Sequence, residues 1–174
     1  ERTYLDDVIT EIVEKALRVQ PADGELYDNA IRCVRNAFDA AEDYTNRIIT
    51  PSTVRMMFTA PRAEVVEMPT APITKLNSVQ VERKIVEGSE IISNGRRAIL
   101  ALPSSALTEA TTSSISLDVE AEVGYGIEDL PGAVYQAIVV MASAFFDDST
   151  ATDMPKAAMA LLEPWRIYPY GGQV

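Results

Sequence analysis

Between Gly132 and Phe146 the chain carries no charged residue, and only Gln136 and Ser143 interrupt the apolar run. Val134, Ile138, Met141 and Phe145 fall at i, i+4, i+7 and i+11, which is one face of an α-helix. Tyr135, Val139, Ala142 and Phe146 cover the neighbouring face. A helix apolar nearly all round must be buried on most sides. At about 15 residues it falls short of the roughly 20 that a membrane span needs. Pro131 suits its first turn, and Asp129 can cap it or complement its dipole. The stretch predicts the central helix of one core.

Enough apolar material surrounds it for such a core: 174 residues fit one domain, with two as the lesser alternative, and 47% of them are hydrophobic. With 26 acidic against 15 basic side chains the net charge is −11. That excludes wrapping nucleic acid through phosphate contacts, which needs clustered Lys and Arg. It fits either a plain acidic surface or one that must sit beside DNA without adhering to it. Histidine is absent, which removes Ser–His and Cys–His nucleophile pairs and histidine zinc sites. Cys33 is the only cysteine, so no intrachain disulfide forms, and its place in a helical apolar stripe reads as a buried inert thiol. No secretory leader, polybasic arm or membrane span is expected.

Along the chain, residues 3 to 18 predict a helix with the stripe Leu5, Val8, Ile9, Ile12, Val13, Ala16 and Leu17, covering either its own core or a neighbouring subunit. Thr3 and Asp6 resemble a capping box, and Glu11 and Lys15 are placed to pair. After Pro21-Ala22-Asp23-Gly24, a second helix runs from Glu25 to about residue 45, burying Leu26, Tyr27, Ala30, Ile31, Val34, Ala37, Phe38, Ala41 and Tyr44. Asn46 stands where a left-handed cap is needed.

Alternation then replaces helical spacing. Val54, Met56 and Phe58 against Thr53, Arg55, Met57 and Thr59 predict a strand. Pro61, Pro69 and Pro72 imply that the strands near Val65 and over Ile73–Val81 are edges or short. Asn94-Gly95 predicts a hairpin. Ile115 to Val123 puts Ile115, Leu117, Val119, Ala121 and Val123 on a buried face and Asp118, Glu120 and Glu122 on a wet one. These three carboxylates are the only acid/base candidates in an enzyme reading. As cation ligands they stand roughly 7 Å apart along the strand, with no second cluster to complete a shell. No catalytic, cofactor or metal residue is therefore assigned.

A last short helix at about 155–163, with Asp153 as its cap, leads to the tail from Trp165 to Val174, which packs the only Trp, two Tyr, an Arg and an Ile together. Trp, Tyr and Arg dominate binding hot spots. Either Trp165 plugs the core beside the central helix, or the end of the chain forms an arm that docks on a partner.

The order of these pieces resembles the head–tail connector (adaptor) proteins of HK97-type tailed phages, prophages and gene-transfer particles. Ala40-Ala41-Glu42-Asp43-Tyr44-Thr45-Asn46-Arg47-Ile48-Ile49 is similar to that family's helix exit, with Asn46 in place of the usual Gly. Met68 to Val79, with Pro69 and Pro72, resembles its Pro-flanked strand. Val119 to Gly126 followed by Asp129-Leu130-Pro131, then Gln136-Ala137-Ile138, resembles its last strand and the start of its long helix. Leu161-Leu162-Glu163-Pro164-Trp165-Arg166 resembles its C-terminal motif. A long insertion around Glu87–Thr112 departs from the pattern.

The resemblance implies a non-enzymatic protein without cofactors, made in the bacterial host cytoplasm and located in the particle neck. It implies a homo-oligomeric ring, usually of twelve copies, between the portal and a stopper or tail-side connector, with DNA as passing cargo and no membrane contact. Portal binding would fall to a C-terminal arm over 168–174 and the residues before it: Trp165, Arg166, Ile167, Tyr168, Tyr170 and Val174. A ring needs complementary patches on two sides of each subunit. The candidates are Leu5, Ile9, Ile12, Arg47, Asn94, Arg96 and Arg97. The alternative is a tail-completion or other virion interaction protein without a channel. The expected fold is α+β and predominantly helical: four helices (about 3–18, 25–45, 131–146 and 155–163) around one core. A small, mostly antiparallel β-sheet and hairpin insertion, about 53–123, lies between helices 2 and 3. Residues 1–167 read as a single connector domain.

Overall fold

A computed structural model describes residues 4–94, 96–108, 112–126, 129–148, 150–151 and 153–167, with backbone only for Tyr4 and Leu5. The chain divides into two compact units: Glu1–Thr50 with Tyr125–Val174, and Pro51–Gly124.

The first unit is helical. Helix α1 (Tyr4–Glu11) runs on as a π-helical turn, Ile12–Ala16, in which the Leu17 N–H reaches back to the Ile12 carbonyl. The wider turn shifts the stripe: Val8, Ile9, Ile12, Val13 and Val19 are buried in this unit's own core, whereas Ala16 is exposed. Lys15 pairs with Glu11 at 3.1 Å. The expected Thr3 capping box lies outside the described residues. Helix α2 (Glu25–Thr45) buries Ala30, Cys33, Val34, Ala37, Phe38 and Ala41, but Leu26, expected inside, is 49% exposed in the first turn. Burial raises the Cys33 thiol above its ordinary value, which suppresses the reactive thiolate.

Helix α4 (Gly132–Asp147) supplies Val134, Ala137, Ile138, Met141 and Ala142 to the centre of this core. Tyr135, Val139, Val140, Phe145 and Phe146 pack around it half-buried, so the helix is fully covered on one face only, less than its apolarity implies. No side chain caps it. Pro131 flanks its start, with the Pro131 carbonyl accepting the Tyr135 N–H at 3.0 Å, so Asp129 is not a cap. Helix α5 (Lys156–Leu162), also without a side-chain cap, adds Ala158 and Leu162 and continues as a 3₁₀ turn over Glu163–Trp165.

The second unit carries two antiparallel sheets. Strands β1 (Ser52–Pro61), β7 (Ser114–Val123), β3 (Ile73–Val81) and β4 (Lys84–Ile85) form one, in the order β1-β7-β3-β4. Strands β2 (Val65–Glu67), β6 (Ala98–Ala101) and β5 (Glu90–Ser93) form the other, in the order β2-β6-β5. One further turn of helix, α3, spans Ser104–Leu107. The alternation of β7 is realised in full, with Ile115, Leu117, Val119, Ala121 and Val123 buried. The predicted hairpin joins β5 to β6.

Two expectations change. Strands hold 27% of the described residues against 42% in helices, and there are five α-helices, so the fold is α+β without being predominantly helical. Strand β3 is nine residues long and interior to its sheet, because Pro72 precedes its first residue and removes no rung of the ladder. The segment Glu87–Thr112 carries the predicted hairpin and with it two of the three strands of the smaller sheet.

Candidate partner interface

Polar contacts converge on the C-terminal end of α2. A helix leaves its last carbonyls without partners. Here the chain solves this by reversing at Asn46 (φ 52, ψ 38), the left-handed cap that its short amide side chain tolerates. The Glu42 carboxylate then fixes the exit: Oε1 accepts the Ile49 N–H at 2.8 Å, the Thr50 N–H at 2.8 Å and the Thr50 hydroxyl at 2.7 Å.

Onto this end folds the segment after α5. The Ile167 N–H donates to the Thr45 carbonyl at 2.8 Å, and the Asn46 side-chain amide donates to the Ile167 carbonyl at 3.0 Å. Arg47, only 5% exposed, donates from Nε to the Trp165 carbonyl. The Tyr44 hydroxyl donates to Glu163 at 2.5 Å, and the Arg166 guanidinium lies 5.0 Å from the centre of the Tyr44 ring. Trp165 itself packs half-buried against the helical core. The result is a clasp that holds residues 163–167 at one place on the unit.

The clasp joins Arg47, Trp165, Arg166 and Ile167, which the sequence assigned to two different contacts. Tyr168, Tyr170 and Val174 lie outside the described residues, as does the side chain of Leu5. Ile9 and Ile12 sit in the core at 2% and 0% exposure. Asn94, Arg96 and Arg97 form a separate group in the sheet unit. The Asn94 Oδ1 accepts the backbone N–H groups of Arg96 (3.1 Å) and Arg97 (2.8 Å), and the Arg97 side chain, 74% exposed, approaches Glu67 at 3.8 Å.

Tyr44, Asn46 and Glu163 were missed as clasp residues, because only the fold brings positions about 120 apart in sequence into contact. Met57 was given no role from the sequence; it is the apolar residue on the polar side of the β1 alternation, and it is 77% exposed.

Two of the three carboxylates on β7 are held in ion pairs. Arg55 grips Asp118 with two nitrogens, Nε at 2.8 Å, and Lys75 meets Glu122 at 2.9 Å. The bond to Arg55 holds the Asp118 carboxyl below its ordinary range, opposite to the raised pKa of a general acid. Among the described residues no group of three or more metal-ligating side chains forms, and no helix is long and apolar enough to cross a membrane.

No protein-family model matches the chain, and no curated protein does. Solved structures do. A chain in the neck of an empty gene transfer agent particle, computed with C6 symmetry, superimposes with a TM-score of 0.69 at 21% identity, over 94% of this chain and 91% of that one. A chain in the neck of a native particle, computed with C12 symmetry, gives 0.64 at 22% identity over 99% and 97%. A chain from the virion of a native gene transfer agent gives 0.65 at 22%, over 94% and 91%. This chain shares their fold. The likeness runs almost end to end on both sides, so it takes in the helical and the sheet unit alike.

Proposed function

We propose that this chain is a non-enzymatic connector (adaptor) subunit in the neck of a phage-like gene transfer particle. Twelve copies form a ring beneath the portal and above a stopper or tail-side protein, and DNA passes through the central channel without being read. The observation that carries this reading is the full-length likeness of fold to neck chains, reaching 99% of this chain and 97% of the solved one. The net charge of −11 supports it, since a conduit for DNA must repel phosphate rather than bind it. The clasp supports the second half of the reading. With Trp165 to Ile167 fixed on α2, residues 168–174 form the arm that reaches the portal, and Tyr168, Tyr170 and Val174 make the contact. Asn94, Arg96 and Arg97 serve contacts between copies.

Electron microscopy of the purified chain mixed with its portal protein tests the proposal. The expected image is a closed ring coaxial with the portal. Deletion of Tyr168–Val174 should leave the far-UV circular dichroism unchanged and abolish portal binding. A truncated chain that still joins portals and yields tailed particles overturns the arm. Absence of a ring at the neck, or the chain appearing in the shell or tail tip, overturns the connector itself.

A further inference from the structure

Strand β1 breaks the rules by which proteins protect a sheet edge. Free edges are normally short, bulged, or guarded by Lys, Pro or an inward-pointing charge, because unpaired N–H and C=O groups recruit other strands. β1 is ten residues long and pairs with β7 without a register shift from Ser52–Val123 to Pro61–Ser114. Its one charge, Arg55, is turned to the outer face and paired to Asp118, and its only proline is its last residue. It stands at the end of its sheet, and among the described residues nothing pairs with its outer edge. The apolar layer beneath it is unfinished as well: Val54, Met56 and Phe58 are half-exposed, in the same rows as Ala121, Val119 and Leu117, which are fully buried.

The opposite end of the same sheet offers the complement. The register places Met57 opposite Asp118, Asp118 opposite Gln80, and Gln80 opposite Ile85, so Met57 and Ile85 share one row at the two edges. Both are large, apolar and exposed, at 77% and 76%. Beside Ile85 and Val86, towards Ser105 and Ala106, an open cleft of about 360 Å³ can take a side chain from outside. The four strands alternate in direction, so laying β4 of one copy beside β1 of the next continues the antiparallel order. The two edges are different surfaces, and the contact is therefore heterologous, the kind that a ring of more than two copies requires.

We infer that β1 of each copy pairs with β4 (Lys84–Ile85) of the next, with Met57 seated against the neighbour's Ile85, so that the sheets run on around the ring. This rests on the ring reading above, and the test separates the two. In the full chain with the buried Cys33 replaced by Ala, Met57→Cys and Ile85→Cys together should oxidise to a ladder of covalent multimers, because directly opposed residues on paired strands have Cβ atoms about 4.5–5.5 Å apart. Either cysteine alone should give no ladder. Met57→Lys should cut the yield of rings about tenfold or more, since the ammonium would lose its water against Ile85. Met57→Lys with Ile85→Glu should restore them. Rings that form without a cross-linked ladder, or that survive Met57→Lys undiminished, overturn the strand pairing and leave the ring intact. No rings from the unaltered chain on its portal overturns both. If Met57→Lys fails to fold by circular dichroism, the cysteine pair alone decides.

Discussion

β1 and β7 are joined residue for residue over ten positions, yet they end in different surroundings. On β7 the inward residues Ile115, Leu117, Val119 and Ala121 are wholly buried, while Val54, Met56 and Phe58 beside them on β1 keep part of their surface in water. The same contrast separates the two units. Of the large hydrophobic residues left exposed among those described, Met57, Val65, Ile85 and Ile92 belong to the sheet unit and only Leu26 to the helical one. Single exposed hydrophobics are ordinary. Two of them stand in one row on the two outermost strands of one sheet. The helical unit uses its apolar surface on itself, and the sheet unit leaves more of it exposed.

The largest expected effect tests the first half of that contrast. Ile138 is fully buried at the middle of α4, so Ile138→Ala removes packing that cannot be regained and should lower the unfolding free energy by about 2–5 kcal/mol. Met57→Ala, on the exposed edge, should change it by no more than about 0.5 kcal/mol. Urea unfolding of the full chain, followed by far-UV circular dichroism, measures both. Similar losses from the two would mean that β1 is already covered and would erase the contrast.

Next in size comes the clasp. Arg47→Met keeps the apolar stem and removes the donor to the Trp165 carbonyl, which should cost about 1–3 kcal/mol. The measurable sign is faster limited proteolysis within residues 163–167, with α2 and α4 still protected. Unchanged proteolysis would mean that the Ile167 bonds to Thr45 and Asn46 hold the segment without Arg47.

Much of this was legible before the fold was known. The buried face of α4, the strand alternation of β7, the left-handed cap at Asn46 and the Asn94 hairpin each rest on spacing or on a residue whose backbone preference is strong. The failures have physical causes. The π turn in the first helix moved Ala16 outward, and no local pattern marks a widened turn. Strand β4 holds only two residues, too few for alternation to stand out, whereas β2, β5 and β6 fall on the strand expected near Val65 and on the two arms of the expected hairpin. The clasp was seen only in halves: Arg47 was read as a contact between copies and Trp165 as a core plug or an arm. Side-chain bonding across about 120 positions leaves no trace in spacing.

A smaller effect separates the backbone of the clasp from its bonds. Asn46 holds φ 52 and also donates to the Ile167 carbonyl. Asn46→Ala loses the bond and strains the backbone, and should cost about 1–2 kcal/mol. Asn46→Gly loses the bond but relaxes the left-handed cap, so its stability should stay within about 0.5 kcal/mol of the parent chain. Thermal unfolding of the pair gives the difference. Equal losses would assign the whole effect to the Ile167 bond.

The smallest effect concerns the outer-face tie between the two strands of the opening contrast. Arg55 on β1 grips Asp118 on β7 and keeps 63% of its own side chain in water. The bond to Arg55 lowers the Asp118 pKa in the folded chain, so the stabilisation is fully present above the unfolded carboxylate value, about 3.9. It is lost as pH falls through the depressed folded value. The stability difference between the parent chain and Asp118→Asn should therefore be constant from neutral pH down to about 5 and shrink below about 4. It should also shrink in about 1 M salt, where exposed pairs are screened. A difference that grows on acidification would mean that Asp118 binds its proton more tightly folded than unfolded. Arg55 would then not be what ties the open edge of the sheet to its buried centre.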